Sequence, residues 1–277
     1  MRFAPGGGRV AFVGSQRRVG RLLVHEYGDP GKPVLLLLHG ITDSGQCFPD
    51  LVARLGSSYR IVAPDALAHG GSERFTDKEM ASADPIEAMY DATEAVLEDI
   101  GPALLLGHSM GGAMAGALAA RRPDLVRAVV VEDPAWMDEA PWSDEEDARQ
   151  QRVDWARSIA ADPARAIAQC RAENPTWPES EYGPWAQGKI DVDETFLRAG
   201  TAMLGTPWRE IAAAIEQSAL VVTGDQEVLL HRELLAEIRR LNPRFDVQVV
   251  EGAAHCVRRD RSDAFHAVVD PWLAEQA

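Results

Sequence analysis

Ala103-Leu104-Leu105-Leu106-Gly107-His108-Ser109-Met110-Gly111-Gly112-Ala113-Met114-Ala115 is the stretch on which the reading of this chain turns. Four apolar residues end at a glycine, Gly-x-Ser-x-Gly follows, and alanine-rich sequence continues. That is a strand, a sharp turn and a helix in immediate succession. A serine held at such a bend stands clear of its own backbone. Glycines two residues to either side let strand and helix approach without Cβ clashes. The helix start turns its free N–H groups toward any negative charge that forms nearby. The context therefore marks Ser109 as a nucleophile, not an idle turn residue.

Working outward, short runs apolar on both faces recur at 34–38, 59–63, 103–106, 128–131, 219–222 and 245–250. Strands inside a parallel sheet read this way because both of their faces are covered. Amphipathic stretches of helical length lie between most of them, at 48–55, 85–100, 110–122 and 232–241. The alternation predicts an α/β fold with a mostly parallel sheet flanked by helices. Ahead of it, 9–14 and 19–27 suggest an antiparallel hairpin turning at Gly14-Ser15-Gln16.

The alternation stops between residues 136 and 217. This part is helical in pattern, acidic at its start, cut by prolines at 163, 175, 178, 184 and 207, and holds six of the seven tryptophans. It reads as a helical cap inserted after the sixth strand, with a core of 1–135 and 218–277 around it. Insertions on the carboxyl side of such strands lie where these sheets bind ligands.

Composition limits the partners. The chain has 277 residues and a formal charge of −15. A surface that negative repels phosphate backbones and anionic lipid, so neither nucleic acid nor membrane is an expected partner. Cys47, Cys170 and Cys256 are few, odd in number and widely spaced. They suit neither a disulfide framework nor a zinc site, so the cytoplasm is the expected compartment. The first residues lack the apolar segment of a secretory signal. No metal and no cofactor are expected, and a homodimer is left open.

With these motifs in place, the sequence resembles the α/β-hydrolase superfamily over nearly its whole length. Leu38-His39-Gly40-Ile41 resembles the family's oxyanion loop, Asp65 to Ser72 its D-x-x-x-H-G-x-S segment, and Gly252-Ala253-Ala254-His255 its histidine loop. The hairpin and six buried strands then make the family's eight-stranded sheet. The resemblance implies that the N–H groups of Met110 and Ile41 form the oxyanion hole. It implies His255 as the base, the one histidine of seven in a glycine-bearing loop after the last strand. The acid is expected first at Glu227, in the loop after the seventh strand, and second at Asp133, after the sixth. Asp225 and Glu132 are the remaining candidates.

Trp136, three residues beyond Asp133, is expected to face the site together with His39 and His108. His39 is expected chiefly to shape its loop. A serine at the elbow excludes chemistry that needs an aspartate there. What is expected is a serine hydrolase acting on a carboxylic ester or lactone of a fairly bulky, apolar small molecule through an acyl-enzyme. The alternatives are a C–C bond hydrolase or lyase, a cofactor-free oxygenase, and a slow-turnover ligand sensor.

Overall fold

In the computed structural model, residues 14–82, 85–138, 145–199 and 207–277 are described. Eight strands form one sheet: β1 (Ser15–Val19), β2 (Leu22–Tyr27), β3 (Val34–Leu38), β4 (Arg60–Pro64), β5 (Ala103–His108), β6 (Val126–Glu132), β7 (Ser218–Gly224) and β8 (Phe245–Val250). Their order is β1-β2-β4-β3-β5-β6-β7-β8. The β1–β2 and β2–β4 pairs are antiparallel, and every later pair is parallel.

Period-two alternation divides the core between the two faces of the sheet. Leu36, Leu38, Leu105, Val129 and Val131 pack on one side. Leu35, Leu37, Leu104, Leu106 and Val130 pack on the other. The central strands β3, β4 and β5 therefore carry no buried–exposed alternation, whereas the edge strand β8, expected to be apolar on both faces, alternates, with Asp246 and Val249 exposed.

The hairpin differs from expectation. Its turn lies at Gly20 and Arg21, with Val19 opposite Leu22, and Ser15 and Gln16 are strand residues. Gly20 takes φ +52°, the left-handed conformation that closes a tight turn without steric cost. The expected first strand, apart from Gly14, lies outside the described residues.

The flanking helices are α1 (Pro49–Leu55), the one-turn α2 (Asp77–Met80), α3 (Ile86–Ile100), α4 (Met110–Arg121), α10 (Arg232–Leu241), the short α11 (Val257–Asp260) and α12 (Ser262–Gln276). Between β6 and β7 come α5 (Glu146–Ala161), α6 (Pro163–Glu173), α7 (Tyr182–Asp191), α8 (Glu194–Ala199) and α9 (Trp208–Ala214). The first four of these pack on one another. Helix α9 instead packs against α4 and α10, beside the sheet. No helix among the described residues is long and apolar enough to cross a membrane.

Candidate active site

Ser109 sits between the end of β5 and the first turn of α4, at φ 54° and ψ −117°. This left-handed conformation is costly for a residue with a Cβ, and such strain gathers at functional sites. Three backbone hydrogen bonds hold the bend: Ser109 N–H donates to Glu132 O (2.9 Å), and Ala113 and Ala135 N–H donate to Ser109 O (3.0 Å each). Gly111 shows why the elbow admits no larger residue. A Cβ there would stand 2.1 Å from the carbonyl oxygen of Leu38, where the helix start crosses the end of β3.

The end of β6 supplies the group that orients His255. Asp133 is fully buried. Its Oδ2 accepts from Nδ1 of His255 at 2.6 Å and from Leu229 N–H at 2.9 Å. Its Oδ1 accepts from the Thr223 hydroxyl at 2.7 Å and Leu230 N–H at 3.1 Å. Four donors converge on one carboxylate, which satisfies its acceptor sites in a dry place and fixes its orientation.

The first expectation for the acid is thereby corrected. Glu227 lies on the rim of the same pocket, exposed, at φ 45°. No hydrogen bond of its side chain is present among the described residues. The β7–α10 loop contributes backbone amides to Asp133 in place of a carboxylate to His255. Asp225 is occupied elsewhere, accepting from Gly252 N–H at 2.8 Å. Glu132 is buried against Arg258, which gives it a backbone N–H at 2.8 Å and a guanidinium N–H at 2.9 Å.

His255 is about one-third exposed (36% of its side chain), with its ring at the pocket wall. Its backbone carbonyl accepts from Nε2 of His108 at 3.1 Å, and the two rings lie 4.8 Å apart. Burial, with the Arg258 charge adding to it, holds His108 well below the ordinary histidine pKa, so the ring is neutral. His108 is among the residues that line the pocket.

His39 and Trp136 do not line it. His39 donates from Nδ1 to Gly40 O (2.8 Å) and accepts at Nε2 from Ala66 N–H (2.9 Å), tying the oxyanion loop to the loop after β4. Trp136 turns into the core, where it stacks on Trp208 and meets the edge of Phe245. Its neighbours Ala135 and Met137 face the pocket instead. The backbone turn at Pro134, closed by Trp136 N–H to Pro134 O at 2.7 Å, reverses which side chains point inward.

Met110 and Ile41 both line the pocket. Their backbone N–H groups take part in no hydrogen bond within the described residues. Met110 opens a helix, where an amide has no intrahelical acceptor. Two free amides beside the serine are the arrangement that stabilises an oxyanion.

The pocket measures about 350 Å³, near the low end of small-molecule sites. Of the six tryptophans at 136–217, Trp142 lies outside the described residues and none of the others lines it. Sequence reasoning missed the residues that do shape one wall: Asp43, Lys189 and Arg259. Asp43 Oδ1 accepts from Lys189 Nζ at 2.5 Å, and Oδ2 from Arg259 Nη2 at 2.9 Å. Arg259 Nε also donates to Glu181 at 2.9 Å. Burial opposes ionisation of Asp43, but Arg259, Lys189 and Arg258 outweigh it and hold the carboxyl far below its ordinary pKa. The signal available in the sequence was lysine scarcity. Lys189 is one of three lysines, and it is the one within the insertion.

His108, Glu132 and Cys256 bring metal-ligating atoms within 4.8 Å of one another. The Arg258 guanidinium already occupies this place, at 2.9 Å from Glu132 and 3.3 Å from Cys256 Sγ. Burial pushes the Cys256 thiol up to about 12, away from the thiolate that a metal requires. This donor set does not suit a cation.

Comparison with known proteins agrees with the architecture. The model of the alpha/beta hydrolase family matches residues 35–268. The chain is 28% identical to the 2-(acetamidomethylene)succinate hydrolase of Mesorhizobium japonicum, covering 89% of this chain and 90% of that protein. It is 28% identical to the mouse sn-1-specific diacylglycerol lipase ABHD11, covering 89% and 83%. The crystal structure of N-formylmaleamic acid deformylase from Pseudomonas putida S16 superposes with a TM-score of 0.75 at 20% identity, covering 93% of this chain and 99% of that one. The relatives are hydrolases, and the chain itself belongs to the alpha/beta hydrolase family.

Proposed function

We propose that this protein is a serine hydrolase that cleaves a carboxylic ester or lactone of a small molecule through an acyl-enzyme. Ser109 Oγ attacks the substrate carbonyl, and His255 Nε2 takes the hydroxyl proton. Asp133 keeps the imidazole in the tautomer that carries hydrogen on Nδ1 and balances the imidazolium that forms. The Met110 and Ile41 amides receive the oxyanion. Collapse of the tetrahedral intermediate passes the proton from His255 to the departing alkoxide. Water, deprotonated by the same imidazole, then attacks the acyl carbon and frees Ser109.

One observation carries this reading. A strained serine shares a pocket with a histidine whose far nitrogen is held 2.6 Å from a buried carboxylate. The relatives' names support hydrolysis in general and differ in the bond they imply. The pocket's modest volume and its charged wall favour a small substrate over the fairly bulky, apolar one expected from the sequence. Helices α5–α8 serve as the cap, with α7 placing Lys189 at the pocket.

A fluorophosphonate probe tests the proposal. Ser109 is expected to take the label, and Ser109→Ala to lose both label and turnover of a nitrophenyl ester. Active protein left unlabelled by the probe would overturn it.

A further inference from the structure

We propose that the pocket takes a substrate bearing a free carboxylate, which Lys189 and Arg259 bind while Ser109 engages a separate ester carbonyl. The proposal deepens the hydrolase reading and rests on it for what is cleaved, though not for what is bound.

Donors outnumber acceptors on this wall. Lys189 is 5% exposed and Arg259 is 3% exposed, so bulk water does little to satisfy either. Lys189 has three N–H groups; among the described residues Asp43 is its one hydrogen-bond acceptor, and Nζ also lies 5.6 Å from the centre of the Trp185 ring. Arg259 spends Nε on Glu181, and Nη2 on Asp43 and on the carbonyl of Cys47. Its Nη1 has no protein acceptor among the described residues. Asp43 is engaged at both oxygens. Oδ1 serves Lys189, while Oδ2 serves Arg259 and lies 3.7 Å from Arg258. The wall thus offers spare donors from two cations that are each also paired with a buried carboxylate.

A neutral apolar chain lying there would bury those N–H groups unpaired, which is costly. A carboxylate brings two oxygens able to accept several charge-assisted hydrogen bonds from these donors. Glu227, the other carboxylate of the pocket, is exposed at the rim, where water screens it.

The two cations come from different parts of the chain. Lys189 extends from α7 of the insertion, and Arg259 from α11, four residues beyond His255. A bound carboxylate would therefore bridge the insertion and the histidine loop beside the oxyanion loop that bears Asp43. The pocket's volume of about 350 Å³ limits the ligand to a small acid carrying its ester a few carbons away.

Binding can be measured without turnover. Ser109→Ala protein is titrated calorimetrically with monomethyl glutarate, which carries a carboxylate at neutral pH, and with dimethyl glutarate, which does not. The half-ester is expected to bind about ten- to a hundredfold more tightly. In Ser109→Ala/Lys189→Met that preference is expected to fall to about threefold or less. The Lys189→Met change keeps the side-chain length and leaves Asp43 paired with Arg259. Equal binding of the two esters, or no binding of the half-ester at millimolar concentration, overturns the proposal. So does a preference untouched by Lys189→Met in protein with native circular dichroism. The first comparison needs no pocket variant, so misfolding of the double variant cannot shelter the idea. A half-ester preference in a protein that resists fluorophosphonate would sink the hydrolase reading and leave this one standing.

Discussion

Asp133 and His255 are 122 residues apart in sequence and 2.6 Å apart in space, Oδ2 to Nδ1. The carboxylate is locked by Thr223, Leu229 and Leu230, so the imidazole is oriented by a group that cannot itself swing. Asp133→Asn keeps the shape but leaves an amide where, in the proposed mechanism, an anion steadies the imidazolium. A loss in kcat on the order of 10⁴ is expected, as for comparable triads. Glu227→Gln is expected to change kcat/KM by less than about tenfold. Steady-state assays of the two variants on one nitrophenyl ester decide between the positions, and the reverse ranking would return the role to Glu227.

Helix α7 presses on the oxyanion loop through Gly188. A Cβ at this position would stand 2.9 Å from the Thr42 carbonyl oxygen and 3.0 Å from Asp43 Cα. Backbone has to move to admit it, and Ile41 lies one residue before Thr42. Misplacing an oxyanion donor by a fraction of an ångström is expensive. Gly188→Ala is therefore expected to lower kcat by about ten- to a hundredfold. Fluorophosphonate labelling should slow in parallel, with secondary structure unchanged by circular dichroism. Wild-type labelling kinetics would refute this coupling.

Arg258 neutralises Glu132 beneath the elbow, both residues being nearly inaccessible to water. Burial pushes the Glu132 carboxyl above its ordinary pKa, and Arg258 limits the rise. Arg258→Met strands that carboxylate at a cost of about 3–5 kcal/mol. The sign with pH follows from the raised pKa. Ionised Glu132 costs stability in the folded state, and protonation removes the cost. The defect should thus be large at pH about 8 and shrink toward pH about 5. Urea unfolding of wild type and variant across that range measures it, and a defect that grows on acidification would contradict the account.

His266 fastens α12 to α1. Its Nδ1 lies 2.7 Å from Asp270 Oδ1, and its Nε2 lies 3.5 Å from Asp50 Oδ2. Burial lowers its pKa, but hydrogen bonding to Asp270 and the pull of Asp50 outweigh burial and leave the value raised. Asp50 is shifted to about 2; burial works against this, and His266, Ser262 and Arg54 override it. A raised histidine stabilises fully below its unfolded value of about 6.5, and the benefit fades as pH climbs through the folded value. His266→Gln should cost about 1 kcal/mol at pH about 6 and little at pH about 9. Denaturant midpoints at the two pH values give the comparison; an equal loss at both would mean that the charged form contributes nothing.

Much of the architecture was legible because local sequence controls it. The run Val34–Leu38 is buried on both faces, so periodicity revealed a central strand without any knowledge of its neighbours. The elbow at Ser109 was legible for a similar reason, since its glycines answer clashes with the ends of β5 and β3, both implied by the motif. The hairpin turn was misread at Gly14 because polar strand residues at the sheet edge, Ser15 to Arg18, look like a loop.

By itself the sequence determined the parallel sheet, the strained elbow at Ser109 and the place of the histidine loop, because each depends on contacts within a few residues or on a pattern repeated along a strand. Only the tertiary structure decided which carboxylate meets His255, that Trp136 turns into the core, and that Lys189 and Arg259 share Asp43 at the pocket wall. Those outcomes depend on where strand ends and insertion helices converge. An aspartate after one strand and a glutamate after the next look alike in one dimension, and desolvation with hydrogen-bond supply distinguishes them only in three.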